Sequence, residues 1–116
     1  MSDLSIYHNP RCSKSRQTLA ILEEQGHNAD IIEYLKTPPT PEALQIILQQ
    51  LGITARQLLR KGEAVYKELN LKDDSLSEQQ LIQAMSENPK LIERPIVIHN
   101  GRAKIGRPPE SVLELF

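Results

Sequence analysis

The opening 34 residues leave this chain few folds to choose from. Leu4-Ser5-Ile6-Tyr7 reads as a short apolar strand. Lys14 to Gln25 carries Thr18, Leu19, Ile21 and Leu22 as its less polar stripe, with Gly26 as a C-terminal stop, and so predicts a helix. Ala29-Asp30-Ile31-Ile32-Glu33-Tyr34 is rich in β-branched residues and predicts a second strand. A strand, a helix and a strand within about 30 residues make a βαβ unit, which implies parallel strands and a right-handed crossover.

Beyond a turn over Leu35 to Thr40, the pattern turns helical. Thr40 is placed to cap a helix that has Pro41 at its first position and Leu44, Ile47, Leu48 and Leu51 as its apolar face. Gly52 ends it, and Thr54 opens a shorter helix expected to run through Leu58-Leu59-Arg60-Lys61 to the stop at Gly62. A further piece spans Ala64 to Leu69. Ser77-Glu78-Gln79-Gln80 has capping-box spacing and starts a helix that turns Leu81, Ile82 and Met85 inward before Asn88-Pro89. Ile96-Val97-Ile98-His99 is a third strand, Asn100-Gly101 a hairpin turn and Arg102 to Ile105 a fourth strand. A last short helix holds Val112, Leu113 and Leu115, with Pro109 near its start. The order predicts an α/β protein of thioredoxin-like fold. It has a four-stranded mixed sheet flanked by helices, with a helical insertion between the second and third strands. The length suits a single domain, 1–116.

The single cysteine lies in Ile6-Tyr7-His8-Asn9-Pro10-Arg11-Cys12-Ser13-Lys14-Ser15-Arg16, between the first strand and the first helix. Cys12 therefore falls at a helix N-terminus, where unpaired N–H groups and the helix dipole favour a thiolate and a bound oxyanion. His8, Arg11, Lys14 and Arg16 add cationic or protonatable groups. A lone cysteine is most often a small buried hydrophobe, but an inert core residue has no use for such neighbours. We read Cys12 as a reactive thiol.

Composition narrows the chemistry. A net charge of −1 gives no reason to expect nucleic acid or membrane as a partner. No Trp and one Phe argue against a base-stacking surface. No apolar run approaches the ~20 residues of a membrane span, and Met1-Ser2-Asp3 lacks signal-peptide character. The expected setting is cytoplasmic, where thiols stay reduced. No Cys/His cluster has zinc spacing, so no structural metal is expected; no bound cofactor is expected either.

Arg94-Pro95 stands directly before the third strand, at the one kind of bond where a cis peptide is cheap. With that piece in place, the chain resembles the glutaredoxin-coupled arsenate reductase family over essentially its full length. The matching pieces are Ile6 to Pro10 ahead of Cys12, Ser15-Arg16 after it, and Tyr34-Leu35-Lys36-Thr37-Pro38-Pro39-Thr40. Leu58-Leu59-Arg60-Lys61, Arg94-Pro95-Ile96-Val97 and Arg107-Pro108 complete the set. The resemblance implies that Cys12 is the nucleophile and that Arg60, Arg94 and Arg107 form an oxyanion pocket. It implies a cis bond before Pro95, with His8, Ser15 and Arg16 supporting the thiol. The family reduces arsenate to arsenite, using glutathione as co-substrate and glutaredoxin to clear the resulting mixed disulfide. The residue types suit that chemistry, because a guanidinium fork grips paired oxygens of a tetrahedral anion. A protein with one cysteine must also borrow its resolving thiol.

Arg11 departs from the family, whose members tend to carry a small residue there. Arg102, Arg56 and Arg11 are read as ordinary solvated charges. Two rival readings remain at this level. One is a thioredoxin-fold adaptor or regulator, although such relatives usually carry Cys-x-x-Cys where this chain has Ser15. The other is a general monothiol, glutathione-dependent reductase without arsenate specificity.

Overall fold

The strand ahead of the cysteine turn forms as β1 (Leu4–His8), in a computed structural model of the protein that describes residues 4–116. It pairs in parallel with β2 (Asp30–Glu33) in the register Ser5 to Asp30 through His8 to Glu33. Helix α1 (Ser13–Glu24) supplies the crossover, so the βαβ unit is as expected. On its other edge β1 pairs antiparallel with β3 (Ile96–His99), Ile6 lying opposite Val97. A hairpin then returns β4 (Arg102–Ile105), giving the sheet order β2-β1-β3-β4. Its turn residues Asn100 and Gly101 have φ of 49° and 79°, the left-handed pair that a two-residue hairpin of matching twist demands.

Alternation along β1 puts Leu4 and Ile6 on one face, where Leu22 of α1 and Val97 of β3 meet them in a buried cluster. The chain end covers the same cluster with Val112 and Leu115. That end, Pro109–Leu115, is a 3-10 helix rather than an α-helix. Its Ser111 N–H donates to Pro108 O, while the Ser111 hydroxyl is drawn back to Ile105 O, which fixes the tighter first turn.

The chain parts into two compact units, the sheet with its flanking helices (up to Thr37 and from Arg94 on) and the inserted segment Pro38–Glu93. The regular elements of the insert are helices. Helix α2 (Pro41–Leu51) is capped by Thr40, whose hydroxyl accepts the Ala43 N–H, and it ends at Gly52 with φ 72°. Both α3 (Ala55–Leu58) and α5 (Glu78–Glu87) begin with complete capping boxes, Thr54 with Gln57 and Ser77 with Gln80. Between them lies α4 (Ala64–Glu68), and a 3-10 turn (Pro89–Leu91) follows α5. Buried Leu44, Ile47 and Leu48 of α2 and Leu81, Ile82 and Met85 of α5 make the core where those helices pack.

Two expectations are corrected here. Helix α3 stops at Leu58 instead of running to Lys61, because Leu59 pairs with Ile92 in an isolated bridge. Around that bridge Glu93 N–H donates to Leu58 O and Arg60 N–H to Leu91 O, and these bonds replace the helical ones. Arg56 is not a solvated charge. It is half-buried and donates through Nη1 to Leu71 O and through Nη2 to Asp73 O, clamping the loop ahead of α5. Among the described residues, no helix is long and apolar enough to cross a membrane.

Gly106, which follows β4, packs so closely that a Cβ there would lie 2.5 Å from Thr18 Oγ1 and 2.8 Å from Pro95 Cγ. Both neighbours belong to well-packed surroundings, Thr18 and Pro95 being buried. Gly106→Ala should therefore cost ~1–3 kcal/mol through overpacking. Gly62→Ala, where a Cβ meets nothing, is the control. Urea unfolding of the two variants checks this, and equal stabilities would show that the Gly106 contact yields freely.

Candidate active site

Four polar residues are buried in the described chain, and all belong to the stretch around the cysteine: His8, Asn9, Ser15 and Thr18. Their hydrogen bonds explain why they are tolerated there. The Ser15 hydroxyl accepts the Asn9 N–H at 3.0 Å and meets His8 Nδ1 at 2.5 Å. It thereby ties the end of β1 to the first turn of α1. Asn9 shapes the turn between them, its side-chain oxygen accepting the Arg11 N–H and its carbonyl the Cys12 N–H, each at 3.0 Å. Sequence reading gave Asn9 no role, although Asn ahead of Pro is a recognised signal for such a turn. Thr18 bonds back to Lys14 O, satisfying its hydroxyl within the helix.

Cys12 is the N-cap of α1, with extended backbone angles of −93° and 122°. It is buried to 9% exposure, and no side chain caps the helix. Of the charged groups expected near the sulfur, Arg16 turns to donate to Pro10 O at 2.9 Å. Arg11 and Lys14 are exposed. The cation that reaches the sulfur comes from the far end of the chain, Arg107 Nη2 standing 4.0 Å from Cys12 Sγ. Arg107 is held there by its Nε, which donates to Arg94 O at 3.0 Å. The Arg94 side chain has a buried Nε with no hydrogen-bond partner among the described residues. A buried donor of that kind is costly unless a ligand completes it.

The Arg94-Pro95 bond is cis, as expected, and Arg107-Pro108 is cis as well, which sequence reading missed. Arg60 belongs to the helical unit, where Nη1 pairs with Glu63 at 2.9 Å and Nε with Glu93 at 3.2 Å. Arg102 is exposed on β4. Among the described residues, no group of His, Cys, Asp and Glu is arranged to hold a metal ion.

The profile of the ArsC family matches residues 7–115. The chain belongs to the ArsC family. Among its ArsC relatives, the uncharacterized protein YfgD of Escherichia coli (strain K12) is 58% identical over 113 residues, covering 97% of this chain and 95% of the relative. An arsenate reductase of Haemophilus influenzae (strain ATCC 51907 / DSM 11121 / KW20 / Rd) is 52% identical over 112 residues, covering 96% and 97%. A solved structure of an arsenate reductase from Vibrio cholerae superposes with a TM-score of 0.96 at 56% identity, covering 97% of each chain. The thioredoxin-like fold expected of the ArsC chain is thus the one it has.

Two outcomes test this geometry. Ser15→Ala leaves the Asn9 N–H and His8 Nδ1 without their buried partner, and should cost ~1–3 kcal/mol in a denaturant titration. A loss no greater than that at an exposed serine would mean water replaces the hydroxyl. The second outcome concerns His8, which burial pushes below the ordinary imidazole value of 6.5, against an opposing pull from Glu33 and with added lowering from Arg16. A lowered folded value means the unfolded chain binds the proton more readily. The stability His8 contributes is therefore present above about 6.5 and is lost as pH falls from there toward the folded value. His8→Gln should flatten the unfolding free energy between about pH 7 and 5, and unchanged slopes in the two proteins would rule this out.

Proposed function

We propose that this protein reduces arsenate to arsenite, with Cys12 as the attacking thiolate. The observation that carries the reading is a guanidinium, Arg107 Nη2, 4.0 Å from a sulfur set at the start of a twelve-residue helix. A cation and the helix N-terminus there both favour negative charge, whether on the thiolate or on the oxyanion it must approach. The arsenate reductases among its relatives, alike over nearly the whole chain, support the same substrate.

The mechanism needs two thiols. Cys12 sulfur bonds to arsenic and a water or hydroxide leaves, so that arsenic is still As(V) in the thiol–arsenate adduct. Arg107 and Arg94 hold the oxyanion through this step, Arg94 offering the buried Nε that lacks a partner. Arg60 is assigned to the same role by the family resemblance alone. Glutathione then delivers the second thiol. As the two sulfurs join in a disulfide, the pair of electrons passes to arsenic, and arsenite leaves as As(III). Glutaredoxin removes the glutathione by thiol–disulfide exchange and returns Cys12 as a thiolate. His8 and Ser15 act by holding the turn, and Arg16 by fixing its Pro10 carbonyl. A cytoplasmic setting, with its reduced thiol pool, suits every step.

The test is arsenite formation with glutathione and glutaredoxin supplied. Cys12→Ser should abolish it. Ala at Arg60, Arg94 or Arg107 should each remove a charge-assisted contact of ~1.5–3 kcal/mol, or about ten- to a hundredfold in arsenate binding or turnover. Lys at those positions should recover only part, since it restores charge without the fork. Arg102→Ala should cost almost nothing. Equal losses at all four positions would mean diffuse attraction rather than a pocket, and no arsenite from the native protein would end the reading.

A further inference from the structure

From Lys61 to Asp74 the sequence mixes its charges, with Lys61, Lys67 and Lys72 set among Glu63, Glu68, Asp73 and Asp74. The fold sorts the two signs. The three lysines line one recess of about 380 Å³ beside α4, with Tyr66 and Asn70 completing its walls, and no carboxylate lines it. Glu63 is drawn off to Arg60 at 2.9 Å, and Asp73 accepts the Ser75 N–H and hydroxyl at 2.9 and 2.7 Å. Among the described residues, none of these three lysines has an ion-pair partner, whereas Lys36 and Lys104 do. The walls are also held in place. Asn70 has a left-handed φ of 53°, and there its N–H donates to Lys67 O and the Leu71 N–H to Tyr66 O, each at 3.0 Å, closing the end of α4. Glycine is the usual residue in that conformation; asparagine keeps the turn and adds a side-chain amide to the recess. Arg56 then fixes the carbonyls on both sides of Lys72, those of Leu71 and Asp73. A lysine that serves only solubility has no need of a backbone pinned on either side.

We infer that this recess binds a small molecule through a diphosphate group. Like charges gathered without a counter-ion repel one another, and a polyanion placed among them relieves that repulsion. An ammonium is a point charge that meets phosphate oxygens from many directions, and the Tyr66 phenol and Asn70 amide are neutral donors for the same oxygens. A single tetrahedral oxyanion is too small to reach three lysines and two neutral donors around this volume, so the site calls for two linked phosphates. The volume itself falls within the ~300–1,000 Å³ of small-molecule sites. Tyr66, 8% exposed, presents little of its ring, so recognition falls on the phosphates and not on a stacked base. The recess lies wholly within the inserted segment Pro38–Glu93, and the inference is independent of the chemistry proposed for Cys12.

The test titrates sodium pyrophosphate into the native protein at low salt, followed by calorimetry and amide shifts. One molecule should bind, with shifts concentrated at Lys61, Lys67, Asn70 and Lys72, and orthophosphate should bind more weakly. Lys61→Ala, Lys67→Ala and Lys72→Ala should each weaken pyrophosphate about two- to fivefold, the worth of one exposed charge pair. Lys90→Ala removes an exposed lysine that does not line the recess, and should change nothing. Adenosine diphosphate separates the two sources of such a group. Affinity equal to that of pyrophosphate marks a free condensed phosphate as the ligand, and tighter binding marks a nucleotide; both keep the diphosphate site. Several outcomes would overturn it. Neither compound binds, or orthophosphate binds as tightly as pyrophosphate. The loss at Lys90 matches that at the three recess lysines, which is diffuse attraction. A glutamate-rich peptide is held more tightly than pyrophosphate, which makes the recess a surface for acidic proteins.

Discussion

The Ser15 hydroxyl is the interaction on which the cysteine's placement depends. It sits fully buried, accepts the N–H of Asn9 and meets the ring of His8, and so joins the last residues of a strand to the first turn of a helix. An unmade bond at that depth costs more than a made one gains. The turn from Asn9 to Cys12 is therefore held from both sides, by Ser15 from the helix and by the Asn9 side chain from within. In the proposed reaction this support matters, because the rate depends on how closely the attacking sulfur is held to a bound anion.

The rest of the arrangement follows from where sheet pairing delivers the chain ends. Residues 94 and 107 flank the β3–β4 hairpin, and the antiparallel pairing of Ile96 with Ile105 brings the two ends together. Arg107 can thus reach the Arg94 carbonyl and the Cys12 sulfur although 95 positions separate it from the cysteine. Gly106 allows the close approach, since the space a side chain would need is filled by Thr18 and Pro95.

Much of this was legible in the sequence because it is written in local signals. The βαβ unit, the Asn100-Gly101 hairpin, the Thr40, Thr54 and Ser77 caps and Cys12 at a helix start each depend on a few neighbouring residues. What escaped depends on distant partners. The end of α3 is decided by Ile92, the loop clamp of Arg56 by carbonyls fifteen and seventeen residues on, and the engagement of Arg60 by Glu93. A spacing rule sees none of these. Adjacency in the chain points to Arg11, Lys14 and Arg16 around Cys12, and Arg16 donates to Pro10 O in that same turn, but no local signal places Arg107 beside the sulfur.

Helix α1 begins without a side-chain cap and has no acidic residue in its first turn. Helices α2, α3 and α5 are instead capped by the hydroxyls of Thr40, Thr54 and Ser77, and only the five-residue α4 shares the lack of a cap among the described α-helices. A cysteine at the start of α1 leaves the helix end without a side-chain cap, and an anion held over the sulfur, as in the proposed reaction, would supply one. Ligand recognition and the ordering of α1 then draw on one free energy. An occupied protein would differ from an empty one in how firmly its first helical turn is wound.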